Sequence, residues 1–246
     1  MIAVVTGASS GIGAATARRL AREPDARLVL VARREERLRA LADELGGATV
    51  VAVDLLAPDA PARVREAVER EHGGRLDLLV NNAGSAWRGR FGDTGWEHVR
   101  RHMELNFDAV LRLTEALLPL LRQSAPSAIV NVSSTAGRVS RGNTGAYSAS
   151  KFALAGWSDA LHLEERRHGV HVGLVLPGFV ATEGFPQEQL MGRRLTRWMV
   201  SRPEKVAEAV VAAGPGGRAE RYVPRPYWLA AVARVLAPRL VRRATS

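Results

Sequence analysis

Short runs of apolar, largely β-branched residues recur along this chain. Between them lie longer stretches whose apolar residues return at helical spacing. The runs are 2–6, 27–31, 48–53, 76–80, 127–132 and 170–176, and a further short one is expected at 221–223. Each is close to continuously apolar, as strands buried on both faces of a parallel sheet are. The first helix is expected to run to about Arg22, with Ile12, Thr16 and Leu20 on one face. Others are expected at 34–45, closed by Gly46-Gly47, and at 58–72, 95–122, 147–168 and 203–213, with Pro119 bending or ending the fourth. Strand and helix alternate throughout. This predicts an α/β fold with one doubly wound parallel sheet of about seven strands, helices on both faces, in a single domain at 1–223. Residues 224–246 read as a separate extension, one apolar helix with a basic end.

Composition changes little in this picture and narrows the chemistry. At 246 residues and 46% hydrophobic, the chain suits one large domain. It has no cysteine, which excludes disulfides, thiolate metal sites and a cysteine nucleophile. No apolar run reaches the ~18 residues of a spanning helix. The chain enters its first strand without a basic leader, so the expected location is cytoplasmic. The net charge of +10 comes from arginines spread along the chain, with no nucleic-acid motif, so no nucleic-acid partner is expected.

Chemistry gathers at the strand ends. After the first strand comes Gly7-Ala8-Ser9-Ser10-Gly11-Ile12-Gly13. Strand, glycine turn and helix form the first half of a dinucleotide-binding unit: the backbone can approach a pyrophosphate, and the helix N-terminus offers unpaired N–H groups. The second strand ends at Arg33-Arg34, where an acid would accept from a ribose 2′-hydroxyl and an arginine suits a 2′-phosphate. NADP(H) is therefore preferred over NAD; the competing reading is the solvated start of the next helix. Asp54-Leu55 ends the third strand, and Asp54 suits either an adenine amine or a turn. Asn81-Asn82-Ala83-Gly84 suits a backbone passing close to a ribose, with side chains stitching neighbouring strands, and equally a plain turn. Asn106 lies among apolar neighbours inside a helix, an unfavourable place that calls for a kink or a bound water. Tyr147 and Lys151 share a helix face, and an ammonium near a phenol favours the phenolate. The chain holds only two lysines against 33 arginines, and a compact ammonium approaches a ring or ribose as a guanidinium cannot.

Thr6-Gly7-x-x-x-Gly11-x-Gly13, Asn81-Asn82-Ala83-Gly84, Ser134, Tyr147-x-x-x-Lys151 and Pro177-Gly178 stand in order along the chain. Together they resemble the short-chain dehydrogenase/reductase family, in its compact single-domain branch, over roughly residues 1–223. The resemblance implies a Rossmann fold and an NAD(P)-dependent oxidoreductase interconverting a ketone or aldehyde and the alcohol by hydride transfer. It makes Tyr147 the general acid in reduction and the base in oxidation. It implies that Lys151 lowers the tyrosine pKa and holds the nicotinamide ribose. Ser134 hydrogen-bonds the substrate oxygen, with Ser133 as the competitor next door, and Asn106 holds a water in a proton relay. Gly7, Ser9, Gly11, Ile12 and Gly13 surround the pyrophosphate, with Ser10 in the same turn, where many NADP-using relatives keep a basic residue. Arg33 and Arg34 face the 2′-phosphate, and Asp54 and Leu55 the adenine. Asn81, Ala83, Gly84, Tyr147 and Lys151 lie along the ribose. Pro177, Gly178, Val180 and Thr182 contact the nicotinamide, Thr182 reaching its carboxamide. No metal is needed: the histidines show no ligand spacing, and EHVRRH around His98 and His102 reads as a solvated helix face. A catalytically silent NADP(H)-binding regulatory or scaffold protein of the same fold is the competing reading. The presence of Ser134, Tyr147 and Lys151 together argues against it.

Trp87, Phe91, Val139, Phe179 and the apolar residues after Glu183 (Phe185, Leu190, Met191, Leu195, Trp198, Met199) are expected to line an apolar substrate pocket or to serve as core or interface. Arg88, Arg90 and Arg141 keep an acidic or carrier-linked substrate open. The family resemblance implies a homodimer or homotetramer built through helices 95–122 and 147–168. The extension at 224–246 suits, in that order, a partner subunit, an active-site cap or an anionic membrane surface.

Overall fold

The computed structural model describes residues 1–183 and 199–245. The strands are β1 (Ile2–Thr6), β2 (Arg27–Ala32), β3 (Thr49–Ala52), β4 (Leu78–Asn81), β5 (Ser127–Val132), β6 (Val170–Pro177), β7 (Phe179–Val180), β8 (Val200–Ser201) and β9 (Glu220–Val223). The helices are α1 (Gly11–Leu20), α2 (Glu35–Glu44), α3 (Ala60–His72), α4 (Phe91–Met103), α5 (Ala109–Gln123), α6 (Gly145–Glu165), α7 (Pro203–Ala213), α8 (Trp228–Leu236) and α9 (Pro238–Thr245). Seven strands form one parallel sheet in the order β3-β2-β1-β4-β5-β6-β9. This is the expected doubly wound Rossmann sheet. The chain steps outward from β1 to β3 and then returns to the other side of β1 with β4. That reversal opens a crevice at the C-terminal ends of β1 and β4, where such sheets bind ligands.

Both faces of the sheet are buried, so its strands lack an apolar–polar alternation. Ala3, Val5, Leu30 and Val80 pack with Leu20, Leu38 and Val206 on one face. Val4, Val29, Leu79 and Ile129 pack with Val64, Leu113, Leu117 and Leu121 on the other. Arg122 on α5 donates Nε and Nη2 to the two carboxylate oxygens of buried Glu165 on α6, at 2.7 and 2.6 Å. This two-pronged pair holds the two long helices in register.

Three expectations change. The stretch 95–122 is not one helix: a π turn at Glu104–Asp108 separates α4 from α5. Pro119 does not end α5, which runs on to Gln123. Pro119 and Glu115, whose carbonyl loses its partner, both lie on the outer side of α5, where water replaces the missing bond. The extension after β9 forms two helices, α8 and α9, rather than one. Phe185, Leu190, Met191, Leu195 and Trp198 lie outside the described residues, whereas Met199 lies within them.

Candidate active site and cofactor cradle

The crevice begins at Thr6. Its hydroxyl donates to the Val80 carbonyl at 3.2 Å and accepts the main-chain N–H groups of Asn82 and Ala83 at 2.9 and 3.0 Å. Asn82 Nδ2 donates to the Thr6 carbonyl at 2.9 Å. One threonine thus sews the end of β1 to the end of β4, which brings Asn82-Ala83-Gly84 against the glycine turn. Gly7 turns at φ +67, and a Cβ there would stand 2.8 Å from Asn82 Nδ2. A Cβ at Gly13 would collide with the Gly7 carbonyl. The turn is therefore closed on itself and leaves its outer backbone bare. Ser10, at the start of α1, makes no side-chain cap, so the first N–H groups of α1 face outward. Thr182 lies with its methyl 3.2 Å from the Cβ position of Gly11, so it packs on this turn. A pyrophosphate fits this bare, N–H-lined backbone.

At the adenosine end, Arg34 reaches back across the turn. Its Nη2 donates to Ser10 Oγ at 2.7 Å and Ser9 Oγ at 3.0 Å, and its Nε also reaches Ser9 Oγ at 3.2 Å. The positive charge missing from the glycine turn itself is thus delivered there by the end of β2. Arg33 is exposed and lies 3.8 Å from Asp54. Asp54 also accepts the Leu56 N–H at 3.1 Å, so turn and ion-pair duties occupy both its oxygens. The Leu55 carbonyl accepts from Arg112 at 3.0 Å. Arg37 on α2 pairs two-pronged with Glu183 at 2.6 and 2.9 Å, a link that tethers the residue after Thr182 to α2.

The catalytic candidates meet at the other end of the crevice. Ser134 starts a 3-10 turn; its Oγ accepts the Ala136 N–H at 3.1 Å and donates to the Pro177 carbonyl at 3.4 Å, beside the Tyr147 phenol. Ser133, its competitor, donates instead to the Lys151 carbonyl at 2.9 Å and so braces α6. The neighbours point opposite ways because residues alternate in extended backbone. Lys151 is buried, donates to the Val132 carbonyl at 2.9 Å and stands 6.0 Å from the Tyr147 ring centre.

Burial pushes the Tyr147 phenol above its ordinary pKa, and the Ser134 hydrogen bond pulls the other way. Burial also lowers Lys151 to about 8. Desolvation of the phenolate is the larger influence on Tyr147, and the bond to Val132 uses one of the three Lys151 ammonium hydrogens. A phenol held protonated suits a proton donor.

Asn106 sits in the π turn and is fully buried. Its Oδ1 accepts the Ser85 N–H at 2.9 Å, and Nδ2 donates to the Ser85 carbonyl at 2.9 Å and to Ser150 Oγ at 3.0 Å. Both amide hydrogens are spent, so the side chain clamps the strand-end loop and would hold a water only as an acceptor. A Cβ at Gly84 would stand 2.9 Å from Asn106 Oδ1 and 3.5 Å from Lys151 Nζ, so only glycine lets that backbone pass. Asn81 Nδ2 donates to Thr114 Oγ1 and Asn131 Oδ1, at 3.1 and 2.9 Å. Its amide stitches β4 to β5 and α5, the stitching expected of these side chains.

His102, which the sequence places on a solvated face, is fully buried. Its Nε2 accepts the Trp87 N–H at 3.1 Å, which leaves Nδ1 to donate to the His98 carbonyl at 2.8 Å. Burial lowers its pKa, so the neutral ring is favoured. The ring meets Trp87 at 4.9 Å and Tyr147 at 6.3 Å between centres, and Arg101 stacks on Trp87 at 3.9 Å. His102 and Trp87 thus form a wall beside the phenol. The available signal is spacing: His102 precedes Asn106 by four residues and shares its helix face. Elsewhere on the rim, Phe179 lies under Arg141 at 4.6 Å. Phe91, expected in the pocket, is 70% exposed. Val180 is buried in the β7–β8 pair, and Pro177 closes β6 against Val223. A Cβ at Gly178 would overlap the ring of Tyr227, which roofs this strand end. Among the described residues no group of three or more His, Cys, Asp or Glu side chains is arranged to hold a metal.

The family described as short chain dehydrogenase matches residues 1–191. The dehydrogenase/reductase SDR family member 7B of Danio rerio is 35% identical over 191 residues, covering 74% of this chain and 61% of that protein. The match thus spans less than two thirds of that relative's length. L-sorbose reductase from Gluconobacter frateurii, complexed with NADPH and L-sorbose, is structurally similar with a TM-score of 0.80 at 28% identity, covering 90% of this chain and 93% of that one. A variant of actinorhodin polyketide ketoreductase with NADPH reaches 0.79 at 32% identity, covering 90% and 95%. A match over residues 1–191, laid on a sheet that carries the motifs at its strand ends, settles the lineage: this chain belongs to the short-chain dehydrogenase family.

Proposed function

We propose that this chain is an NADP(H)-dependent oxidoreductase that interconverts a ketone or aldehyde and the corresponding alcohol. The observation that carries the reading is Tyr147: a half-buried phenol beside buried Ser134, one helical turn from buried Lys151, at the crevice that Gly84 keeps open. Arg34 on Ser9 and Ser10 supports a 2′-phosphate, as does the lack of an acid at the end of β2. NADPH in the two neighbouring reductases points the same way.

When bound, the nicotinamide supplies the hydride in reduction and takes it in oxidation. The chain's own residues do the rest. Ser134 orients the substrate oxygen, and the Tyr147 O–H gives its proton to that oxygen as carbon accepts the hydride, so a carbonyl becomes an alcohol. Lys151, still largely protonated at neutral pH with a pKa of about 8, offsets the charge left on the phenolate. The protonated phenol is the form that serves the proton-donating step of reduction. Trp87 and Phe179 favour an apolar or aromatic substrate. Arg141 stacks on Phe179 and Arg90 bonds Asn143 at 3.0 Å, so an acidic substrate would have to draw both from these partners. Leu163, 73% exposed on α6, supports a homodimer or homotetramer assembled through α6 and its neighbour.

Purified protein with NADPH and a panel of ketones and aldehydes tests the reading by oxidation of the cofactor. Tight NADPH binding without turnover on any carbonyl would instead favour a silent binding protein.

A further inference from the structure

The apolar residues of α8 recur at Trp228, Leu229, Val232, Val235 and Leu236, one stripe of a helix. In a globular domain such a stripe turns inward. Here it turns outward: the five side chains are 49, 55, 41, 78 and 78% exposed, and Leu240 on α9 is 64% exposed. Around the stripe the charge has one sign. Residues 224–246 contain Arg225, Arg234, Arg239, Arg242 and Arg243 and no Asp or Glu. No described helix is long and apolar enough to cross a membrane.

We propose that α8 and α9 dock this protein on the surface of an anionic lipid bilayer, the apolar stripe entering the headgroup boundary and the arginines meeting lipid phosphates. A tryptophan at one end of the stripe suits that boundary. A second copy of the chain fits less well. A two-fold contact through this face would set one arginine cluster against the other with no carboxylate of the extension to pair them.

The face is also joined to the site. Tyr227, just before α8, packs on Gly178, and its hydroxyl donates to the Met199 carbonyl at 3.1 Å. Thr245 at the end of α9 lines a cleft of about 530 Å³ together with Arg90, Arg141, Gly142 and Asn143. These are the rim residues beside Phe179 and the Trp87 loop. A bilayer under α8 and α9 thus lies next to the mouth of the crevice, and it deepens the proposed substrate class to carbonyl compounds that partition into lipid. That last step rests on the oxidoreductase reading; the docking does not.

The test is flotation of the full chain with vesicles of phosphatidylcholine, with and without phosphatidylglycerol. The expected result is binding only with phosphatidylglycerol, reversed by salt. Arg239→Ala and Arg242→Ala each lower the partition about fivefold, and Val235→Glu lowers it about tenfold or more. Turnover of a small water-soluble ketone stays unchanged in all three, so a failed flotation with intact turnover removes the docking and leaves the chemistry. Flotation without turnover does the reverse. Binding that ignores lipid charge overturns the proposal. So does a soluble dimer, seen by light scattering, that Val235→Glu splits, for then a second copy covers the stripe.

Discussion

The two ends of the crevice are built on different physics. At the catalytic end, Asn106, Ser133, Ser134 and Lys151 are buried, and each side chain has a protein partner. At the adenosine end, Arg33, Arg34, Arg37, Asp54 and Glu183 are in or near solvent and hold one another, or the serines of the glycine turn, in ion pairs and hydrogen bonds. A buried donor has no water to fall back on, so losing a partner is costly and the geometry is fixed. An exposed arginine exchanges partners at little cost. The chemistry is thus preorganised, while the choice of cofactor rests on side chains that can move.

The largest test of that contrast is Tyr147→Phe. Turnover is expected to fall about 10²–10⁴-fold with cofactor affinity nearly unchanged, measured by steady-state rates and fluorescence titration. Comparable turnover in the variant would end the assignment.

Lys151 comes next. The unfolded lysine keeps its proton to about 10.5, while the folded one releases it near 8. The unfolded state therefore binds more protons between these values, and stability should rise with pH through that window. The span corresponds to roughly 3 kcal/mol. Urea unfolding should show this rise in the native chain and not in Lys151→Met. Tyr147, raised by burial, pulls the other way only above its unfolded value near 10.

Asn106→Ala leaves Ser85 and Ser150 with unpaired groups and is expected to cost about 2 kcal/mol, read as a lower urea midpoint. Arg34→Ala leaves folding and saturated turnover alone and weakens NADPH about tenfold, with NADH unaffected. A loss of saturated turnover there would break the comparison. Glu183→Gln is the smallest: an exposed pair is lost, and NADPH affinity changes by less than about twofold.

Sheet, glycine turn and strand-end motifs were legible in the sequence because each is a local pattern. A buried strand must be apolar, and a backbone that turns at positive φ or passes a neighbour at close range must be glycine. The order of the runs then dictates the crevice, since a parallel sheet that reverses direction opens at its switch point. What the pattern could not resolve is direction. Ser133 and Ser134 are chemically the same, and only the packing of α6 on β5 decides which hydroxyl faces Tyr147. A charged stretch around His102 reads as solvated until Trp87 folds over it. Arg34 meets Ser9 and Ser10 only once β1 and β2 lie side by side. The stripe on α8 has the same periodicity whether it faces in or out, because amphipathicity specifies a face and not what covers it. Those choices belong to the tertiary structure: each depends on contacts between residues far apart in the chain, which no local spacing encodes.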